Sequence, residues 1–366
     1  MSRVQHPSPH VASPADSPVL ITGGAGFVAT NLASRLLSQG RRVIVFDNLS
    51  RPGVERNLRW LCDTYGDSVT VQLGDVCDPD AVARVVRQAG HVFHFAAQVA
   101  VTTSLVEPMR DFEVNARGTL NLLEAVRNAP VPPSLLFTST NKVYGDLEDL
   151  ELQKAETRYE PGDGHIRRYG IGETTPLEFH SPYGCSKGVA EQYVLDYART
   201  FGLRTVVFRM SCIYGPHQCG TEDQGWVAHF LLTILNGQPL TIYGDGLQVR
   251  DVLYVEDLVT AMLTAEAQID RLSGEAFNIG GGARNATSLV ELLSTIGDIV
   301  GERPRALMEP WRRADQRYYV SDFRKFRDRT GWTPRVGVRA GLSALLDWFV
   351  HHRLVPAPVR AGRVAS

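Results

Sequence analysis

The sequence predicts an α/β fold, a doubly wound parallel sheet followed by a smaller α/β lobe. Three observations carry that prediction. Short β-branched runs alternate with helix-period segments through the first two-thirds of the chain. The runs are apolar on both faces, as strands covered by helices on either side must be. A glycine-rich turn lies directly between the first run and the first helix.

Taken in order, residues 19–21 (Val-Leu-Ile) read as a buried strand, 29–39 as a helix ended by Gly40, and 43–46 as the second strand. Strands follow over 69–73, 91–95, 134–137 and 205–208, separated by helices over 79–88, 109–127 and 183–200. Beyond Gly215 the segments shorten. Helices are expected over 226–235 and 255–266. Ser288 with Glu291 makes a capping box that opens a helix running to about Val300, and 341–351 is the last helix.

At 366 residues the chain is long for one simple core and reads as one large or two fused domains. Hydrophobic residues make up 43% and charged residues 21%, ordinary for a globular protein. A net charge of -2 gives no global footprint for nucleic acid or membrane. No apolar run approaches a membrane span, and residues 1–17 lack the apolar core of a signal peptide. The cysteines Cys62, Cys77, Cys185, Cys212 and Cys219 show neither zinc spacing nor a disulfide framework. They point to a reducing, cytoplasmic compartment. His351-His352 has no matching ligand cluster, so no metal is expected.

The turn Thr22-Gly23-Gly24-Ala25-Gly26-Phe27 places Gly23, Gly26 and Ala29 at the spacing of a dinucleotide-binding fingerprint. Glycines there let a pyrophosphate approach backbone amides at a helix N-terminus. A lone glycine run is more often just a turn. Here the second strand ends at Asp47, the position of a carboxylate that binds an adenosine ribose. Asp47 repels a 2′-phosphate, which favours NAD over NADP, although Arg51 stands nearby.

Tyr183 and Lys187 are four apart in a predicted helix and so share one face. A neighbouring ammonium and a positively charged nicotinamide both favour the phenolate over the phenol. Tyr183 could then take a proton from a substrate hydroxyl as hydride leaves the same carbon. Thr140 follows a predicted strand, which sets its hydroxyl at the carboxyl end of the sheet, where ligands bind in such folds. Each feature alone has a bland alternative, a surface pair or a strand-end hydroxyl. The combination is hard to explain by chance.

With these residues in place, the chain resembles the extended short-chain dehydrogenase/reductase family, in its nucleotide-sugar epimerase and dehydratase branch. The match runs over about 19–348. It rests on the glycine turn, Gly74-Asp75-Val76, residues 94–97, Asn115 with Gly118-Thr119, Val143-Tyr144-Gly145, Tyr183 to Lys187, Arg209, Tyr214-Gly215-Pro216 and Arg250-Asp251-Val252. Residues 46–51, 97–100, 102–104, 139–148, 179–188, 223–227 and 315–317, with the insert 146–178, look closer still to the CDP-paratose (CDP-tyvelose) 2-epimerase subgroup. Cys212 stands where many 4-epimerases carry an asparagine that meets substrate phosphate.

The resemblance implies a Rossmann domain over 18–215, including the insert, and a mainly substrate-binding lobe over 216–352. Flexible tails are expected at 1–17 and 353–366. It implies NAD that stays bound through the cycle, a nucleotide-sugar substrate and a homodimer or homotetramer. By that resemblance Gly23, Gly26, Phe27 and Val28 hold the pyrophosphate, and Asp47, Asn48, Ser50 and Arg51 frame the adenosine. Asp75 and Val76 contact adenine. Ala96, Ala97 and Gln98 border the nicotinamide side, Asn115 and Thr138 join the cofactor contacts, and Lys187 holds the ribose. Tyr183, Lys187 and Thr140 are the catalytic group. Ser104, Asn141, Arg250 and Arg312 join Thr140 on the substrate side; a guanidinium suits a diphosphate, and a surface salt bridge is the alternative for each arginine. His94 reads as a core histidine beside the cofactor, His180 as a substrate contact or packing, and Trp226 as facing the base or a helix core.

The expected reaction is inversion at carbon 2 of the hexose through a transient 2-keto sugar. A 4-epimerase or 4,6-dehydratase is the first alternative. Asn141-Lys142 disfavours the second of these, because such dehydratases place an Asp-Glu pair there. A non-catalytic NAD-binding protein is the further alternative, disfavoured by retention of Thr140, Tyr183 and Lys187.

Overall fold

The computed structural model describes residues 17–218, 220–221, 225–302, 304–312, 315–352 and 354–355. The expectations for the two tails, for Cys219 and for Asp223-Gln224 fall largely or wholly outside them.

The first half of the chain runs β1 (Val19–Thr22), α1 (Phe27–Ser38), β2 (Val43–Asp47), α2 (Val54–Tyr65), β3 (Val69–Leu73), α3 (Pro79–Val86), β4 (His91–His94), α4 (Val101–Val106), α5 (Pro108–Phe112), a π-helical turn (Glu113–Arg117), α6 (Gly118–Arg127) and β5 (Ser134–Thr140). The insert follows with β6 (Leu152–Lys154), β7 (Tyr159–Pro161) and α7 (Gly164–Tyr169). Then come α8 (Ser181–Phe201), β8 (Thr205–Met210), β9 (Cys212–Tyr214), α9 (Trp226–Leu235), β10 (Leu240–Tyr243), β11 (Val249–Tyr254), α10 (Val255–Ala267), α11 (Ile269–Leu272), β12 (Glu275–Ile279), β13 (Ala286–Ser288), α12 (Leu289–Val300), β14 (Ala306–Glu309), β15 (Tyr318–Tyr319), α13 (Arg324–Thr330) and α14 (Val338–His351).

Seven strands form one parallel sheet in the order β12-β8-β5-β4-β1-β2-β3. One face is covered by α1, α2 and α10 through Leu32, Leu36, Leu58, Leu61, Leu258 and Met262. The other is covered by α3, α6 and α8 through Val82, Val86, Leu122, Val126, Ala190 and Val194. That is the doubly wound arrangement the alternation predicted. A separate core joins α9, α12 and α14 through Phe230, Leu231, Leu292, Ile296, Leu345 and Phe349. Short strands complete that lobe: β10 pairs with β14, and β11 pairs with β9, β13 and β15.

Three local features depart from the sequence reading. Helix α2 was not expected, since it follows Pro52-Gly53 and four of its 12 residues are charged; its thin apolar stripe, Val54, Leu58 and Leu61, still buries against the core. Strand β3 is an edge strand whose Leu73 is 68% exposed, so apolar composition did not mean burial on both faces. The helix expected over 109–127 is interrupted by the π-helical turn that carries Asn115. The capping box of α12 is present, with Ser288 and Glu291 each accepting from the other's backbone amide.

The insert folds as an antiparallel β6–β7 hairpin plus α7. It lies against the second lobe. The Tyr159 amide donates to Leu247 O at 3.0 Å, Ser288 Oγ donates to Thr157 O at 2.6 Å, and Arg158 pairs with Glu291.

Candidate active site

The glycine turn is a tight backbone cradle. Gly23 sits at φ +65°, and a Cβ there would meet Ala96 N at 2.7 Å. Gly26 caps α1 without any side-chain cap, so the first amides of that helix face outward from the strand end. Asp47, the last residue of β2, accepts from Ala25 N at 3.0 Å and from Leu49 N at 2.8 Å. It therefore braces the turn as well as standing beside it. A carboxylate has about four lone-pair sites, so two such bonds leave acceptors for a ribose diol. These features fit a dinucleotide.

The residues expected to frame the adenosine form a chain of polar contacts. Asn48 Nδ2 donates to Asp75 Oδ2 at 2.9 Å, and Asn48 Oδ1 accepts from Ser50 N at 3.0 Å. Asp75 also accepts from Cys77 N and from Arg110. Burial works to raise its carboxyl, yet these donors outweigh that and hold it down at about 2. Val76 is buried, whereas Arg51 lies exposed on the next turn. Phe27 and Val28 occupy the first turn of α1, half-buried.

Residues 96–98, expected to border the nicotinamide, follow β4. Gln98 N donates to Asn115 Oδ1 at 2.9 Å, and Asn115 Nδ2 returns a bond to Gln98 O at 3.0 Å. The π-helical turn turns Asn115 inward so that it also donates to Ser186 Oγ at 3.0 Å and Asp111 Oδ1 at 3.2 Å. Ala96 N reaches Thr22 Oγ1 at 3.3 Å, with Ala97 between it and Gln98. His94 bridges Thr22 Oγ1 at 2.6 Å and Thr119 Oγ1 at 3.1 Å, a buried core histidine. Thr138 Oγ1 donates to His94 O at 2.8 Å, tying β5 to β4 beneath the site.

Thr140, Tyr183 and Lys187 come together at the carboxyl end of the sheet. The side chains of Thr140 and Tyr183 hydrogen-bond. Burial pushes the Tyr183 phenol up to about 12, and the Thr140 bond offsets this only in part. Burial likewise draws the Lys187 ammonium down to about 7, against the pull of Glu191 and Asp111. In the protein alone, then, burial outweighs the Thr140 bond at Tyr183 and the Glu191 and Asp111 charges at Lys187. Lys187 Nζ also lies 4.2 Å from the Phe137 ring centroid.

Beneath this group is a network that the motifs did not reveal. Ser139 Oγ donates to Glu191 Oε2 at 2.6 Å, and Arg209 donates to Glu191 Oε1 through Nε at 3.0 Å and Nη2 at 2.5 Å. Arg209 continues to Tyr144 Oη at 2.8 Å, which donates to Asn278 Oδ1 at 2.8 Å. A signal was present, since Glu191 extends the Tyr183–Lys187 stripe by one more turn of α8.

Four residues expected on the substrate side have internal partners. Ser104 accepts from Tyr183 N at 3.2 Å and donates to Val101 O, so it anchors the start of α8. Asn141 Nδ2 donates to Gln316 Oε1 at 3.0 Å. Arg250 is buried and donates to Val249 O, Gln316 O and Asp315 Oδ1 at 2.7, 2.5 and 2.8 Å. Arg312 stacks 3.8 Å over Tyr243. Trp226 Nε1 donates to Cys212 Sγ at 3.3 Å and meets Phe230 edge-on. His180 Nδ1 pairs with Asp146 Oδ2 at 2.6 Å and remains mostly exposed.

The family model for NAD dependent epimerase/dehydratase matches residues 19–280. The chain is 48% identical over 337 residues to a CDP-paratose 2-epimerase of Salmonella typhi, covering 90% of this chain and 98% of that protein. Among solved structures it is similar to a UDP-glucose 4-epimerase of Thermotoga maritima with UDP-glucose. That comparison has TM-score 0.79 and 32% identity over 92% of this chain and 99% of the other. A Thermus thermophilus UDP-glucose 4-epimerase complexed with NAD aligns with TM-score 0.75 and 33% identity, covering 91% and 98%. The glycine cradle braced by Asp47, the gathered Thr140, Tyr183 and Lys187, and these likenesses lead to one statement: the chain belongs to the NAD-dependent epimerase/dehydratase family.

Proposed function

We propose that this protein inverts carbon 2 of the hexose in a CDP-linked sugar of the paratose/tyvelose or glucose/mannose type. The observation that carries the reading is the Thr140–Tyr183–Lys187 group beside a dinucleotide cradle, in a chain 48% identical to a CDP-paratose 2-epimerase. NAD, when bound, supplies the hydride acceptor and donor and a positive ring that lowers the Tyr183 phenol. Gly23, Gly26, Phe27 and Val28 line its pyrophosphate, Asp47 and Asn48 its adenosine, and Lys187 its second ribose.

The chain's own residues then do the acid–base work. Tyr183 Oη takes the proton of the C2 hydroxyl. Thr140 Oγ1 holds that oxygen in line. The 2-keto sugar turns in the pocket, and Tyr183 returns the proton once the opposite face is presented. Neither Asn141 nor Lys142 can serve as a carboxylic acid, which disfavours dehydration.

Incubation with CDP-, UDP-, dTDP- and GDP-hexoses without added NAD tests this. Inversion at C2 of a CDP-sugar is expected. Inversion at C4 alone, or a stable oxidised sugar with stoichiometric NADH, would overturn it. We further propose a homodimer or homotetramer with one of its contacts through the face of α4 and α5, where Val106 and Met109 are 80% and 71% exposed. Sedimentation of Val106→Asp/Met109→Asp should show a smaller assembly than the wild type. The unpaired thiols Cys62, Cys77, Cys185 and Cys212 support a cytoplasmic location. Among the described residues no helix is long and apolar enough to cross a membrane.

A further inference from the structure

Asp111 has no part in the mechanism above, yet it stands in a buried network that reaches the helix bearing Tyr183 and Lys187. It is the buried residue of α5, whose other four residues are exposed. Burying a carboxylate costs free energy that an apolar side chain would not, so packing alone does not account for an acid there.

The acid is one corner of a bonded triangle. Ser186 Oγ donates to Asp111 Oδ2, and Asn115 Nδ2 donates to Asp111 Oδ1 at 3.2 Å and to Ser186 Oγ at 3.0 Å. The three residues are 0%, 1% and 4% exposed for Asp111, Asn115 and Ser186. They belong to three separate elements: α5, the π-helical turn and α8. Asn115 also exchanges two bonds with the backbone of Gln98, at 2.9 and 3.0 Å. The triangle therefore ties α8 to residues 96–98, the stretch that the sequence leads one to expect beside the nicotinamide.

A hydroxyl carries one proton. Two acceptors lie within reach of the Ser186 proton: Asp111 Oδ2, and Tyr183 O at 3.2 Å, three residues back on the same helix. The carboxylate is the stronger acceptor and takes it. Without that carboxylate the hydroxyl turns back onto its own helix, and one cross-link from α8 to its neighbours is lost. Ser186 stands one residue before Lys187 and three after Tyr183. Holding its hydroxyl sets how far α8 is rolled about its axis, and with it the placement of both side chains.

Resting on the reading that Thr140, Tyr183 and Lys187 form the reacting group, we propose that Asp111 is a positioning residue. Acting through Ser186, it sets the roll of α8 against residues 96–98 and so aligns Tyr183 with the carbon whose hydride moves. A misplacement on the order of 1 Å can cost such a step about 10²-fold.

The test uses the purified, NAD-loaded protein and the nucleotide sugar that the wild type converts, with hydrogen or deuterium at the carbon it inverts. Asp111→Asn keeps the shape of the side chain but sets its amide donor against either Ser186 or Asn115. Its kcat should fall by about tenfold or more, with KM and NAD content nearly unchanged. The deuterium isotope effect on kcat should rise, because the hydride step is the one slowed. Ser186→Ala should reproduce both changes. Adding Asp111→Asn to Ser186→Ala should then cost much less than it does in the wild type, since the acid acts through the hydroxyl. Wild-type kcat in either single variant would overturn the proposal, as would losses that multiply in the double variant. A fall that tracks loss of folded protein, with an unchanged isotope effect, would also overturn it by reducing Asp111 to a structural role. If Asp111→Asn does not fold, the isotope effect in Ser186→Ala decides: a rise supports the proposal and no change overturns it. The reacting-group reading fails separately, by full activity in Tyr183→Phe.

Discussion

The cofactor cradle and the seam between the two lobes meet at Thr140, and they are built by different means. The cradle is made of backbone. Its turn is braced within one βαβ unit, as in the bond from Ala25 N to Asp47, 22 residues apart. The seam is made of side chains from distant parts of the chain. Asn141 meets Gln316 across 175 residues, and Arg250 meets Asp315 across 65. A backbone cradle tolerates change in side chains except at its glycines and its one carboxylate. A side-chain seam can be retuned residue by residue, whereas a backbone cradle cannot.

The largest effect is expected where the two regions touch. Tyr183→Phe should lower kcat by about 10²–10⁴-fold while the purified protein keeps its NAD. Loss of NAD together with activity would mean that Tyr183 belongs to the cradle as much as to the chemistry. Next, Glu191→Ala leaves Arg209 buried without its carboxylate, at a cost of about 3–5 kcal/mol in urea unfolding. A much smaller loss would show that the network under the site is not what holds α8 to the sheet.

Gln316→Ala removes the acceptor of Asn141 and the donor to Gly145 O, and should cost about 1–3 kcal/mol. If the seam is separate from the cradle, KM should rise with NAD affinity unaltered. His94 gives a probe of the sheet itself. Burial, then the Lys187 charge, holds its imidazole down at about 3, below the unfolded value of 6.5. Below pH 6.5 the unfolded chain takes up a proton that folded His94 does not. Stability should therefore fall with pH between 6.5 and about 3, by about 1.4 kcal/mol for each pH unit per group. His91, held down at about 4, acts in the same direction, so His94→Asn should reduce this slope without abolishing it. The smallest effect is expected from Ser104→Ala, about 1 kcal/mol and a few-fold in kcat, because it removes only the acceptor of the Tyr183 amide and one bond to Val101 O.

The same contrast explains what was legible. The turn at Thr22–Phe27, Asp47 and the Tyr183–Lys187 stripe are short-range patterns with fixed periods, and each stands where the periods put it. Helix α2 escaped because its apolar stripe is thin among charged residues. The exposure of β3 escaped because composition cannot say which strand lies at a sheet edge. The ionisation of Tyr183 escaped for a different reason. Spacing shows that a lysine is near, but burial decides which protonation state is favoured, and here it raises the phenol and lowers the ammonium.

By itself, then, the sequence determined the parallel sheet, the glycine turn before α1 and the shared helix face of Tyr183 and Lys187. These depend on alternation, on glycine backbone freedom and on helix pitch, all of which act over a few residues. Only the tertiary structure decided that Ser104 anchors α8, that Arg250 is tied to Asp315 and Gln316, and that Asn141 meets Gln316. Those outcomes depend on which distant side chains compete for the same donors once water is excluded. No local pattern encodes that competition.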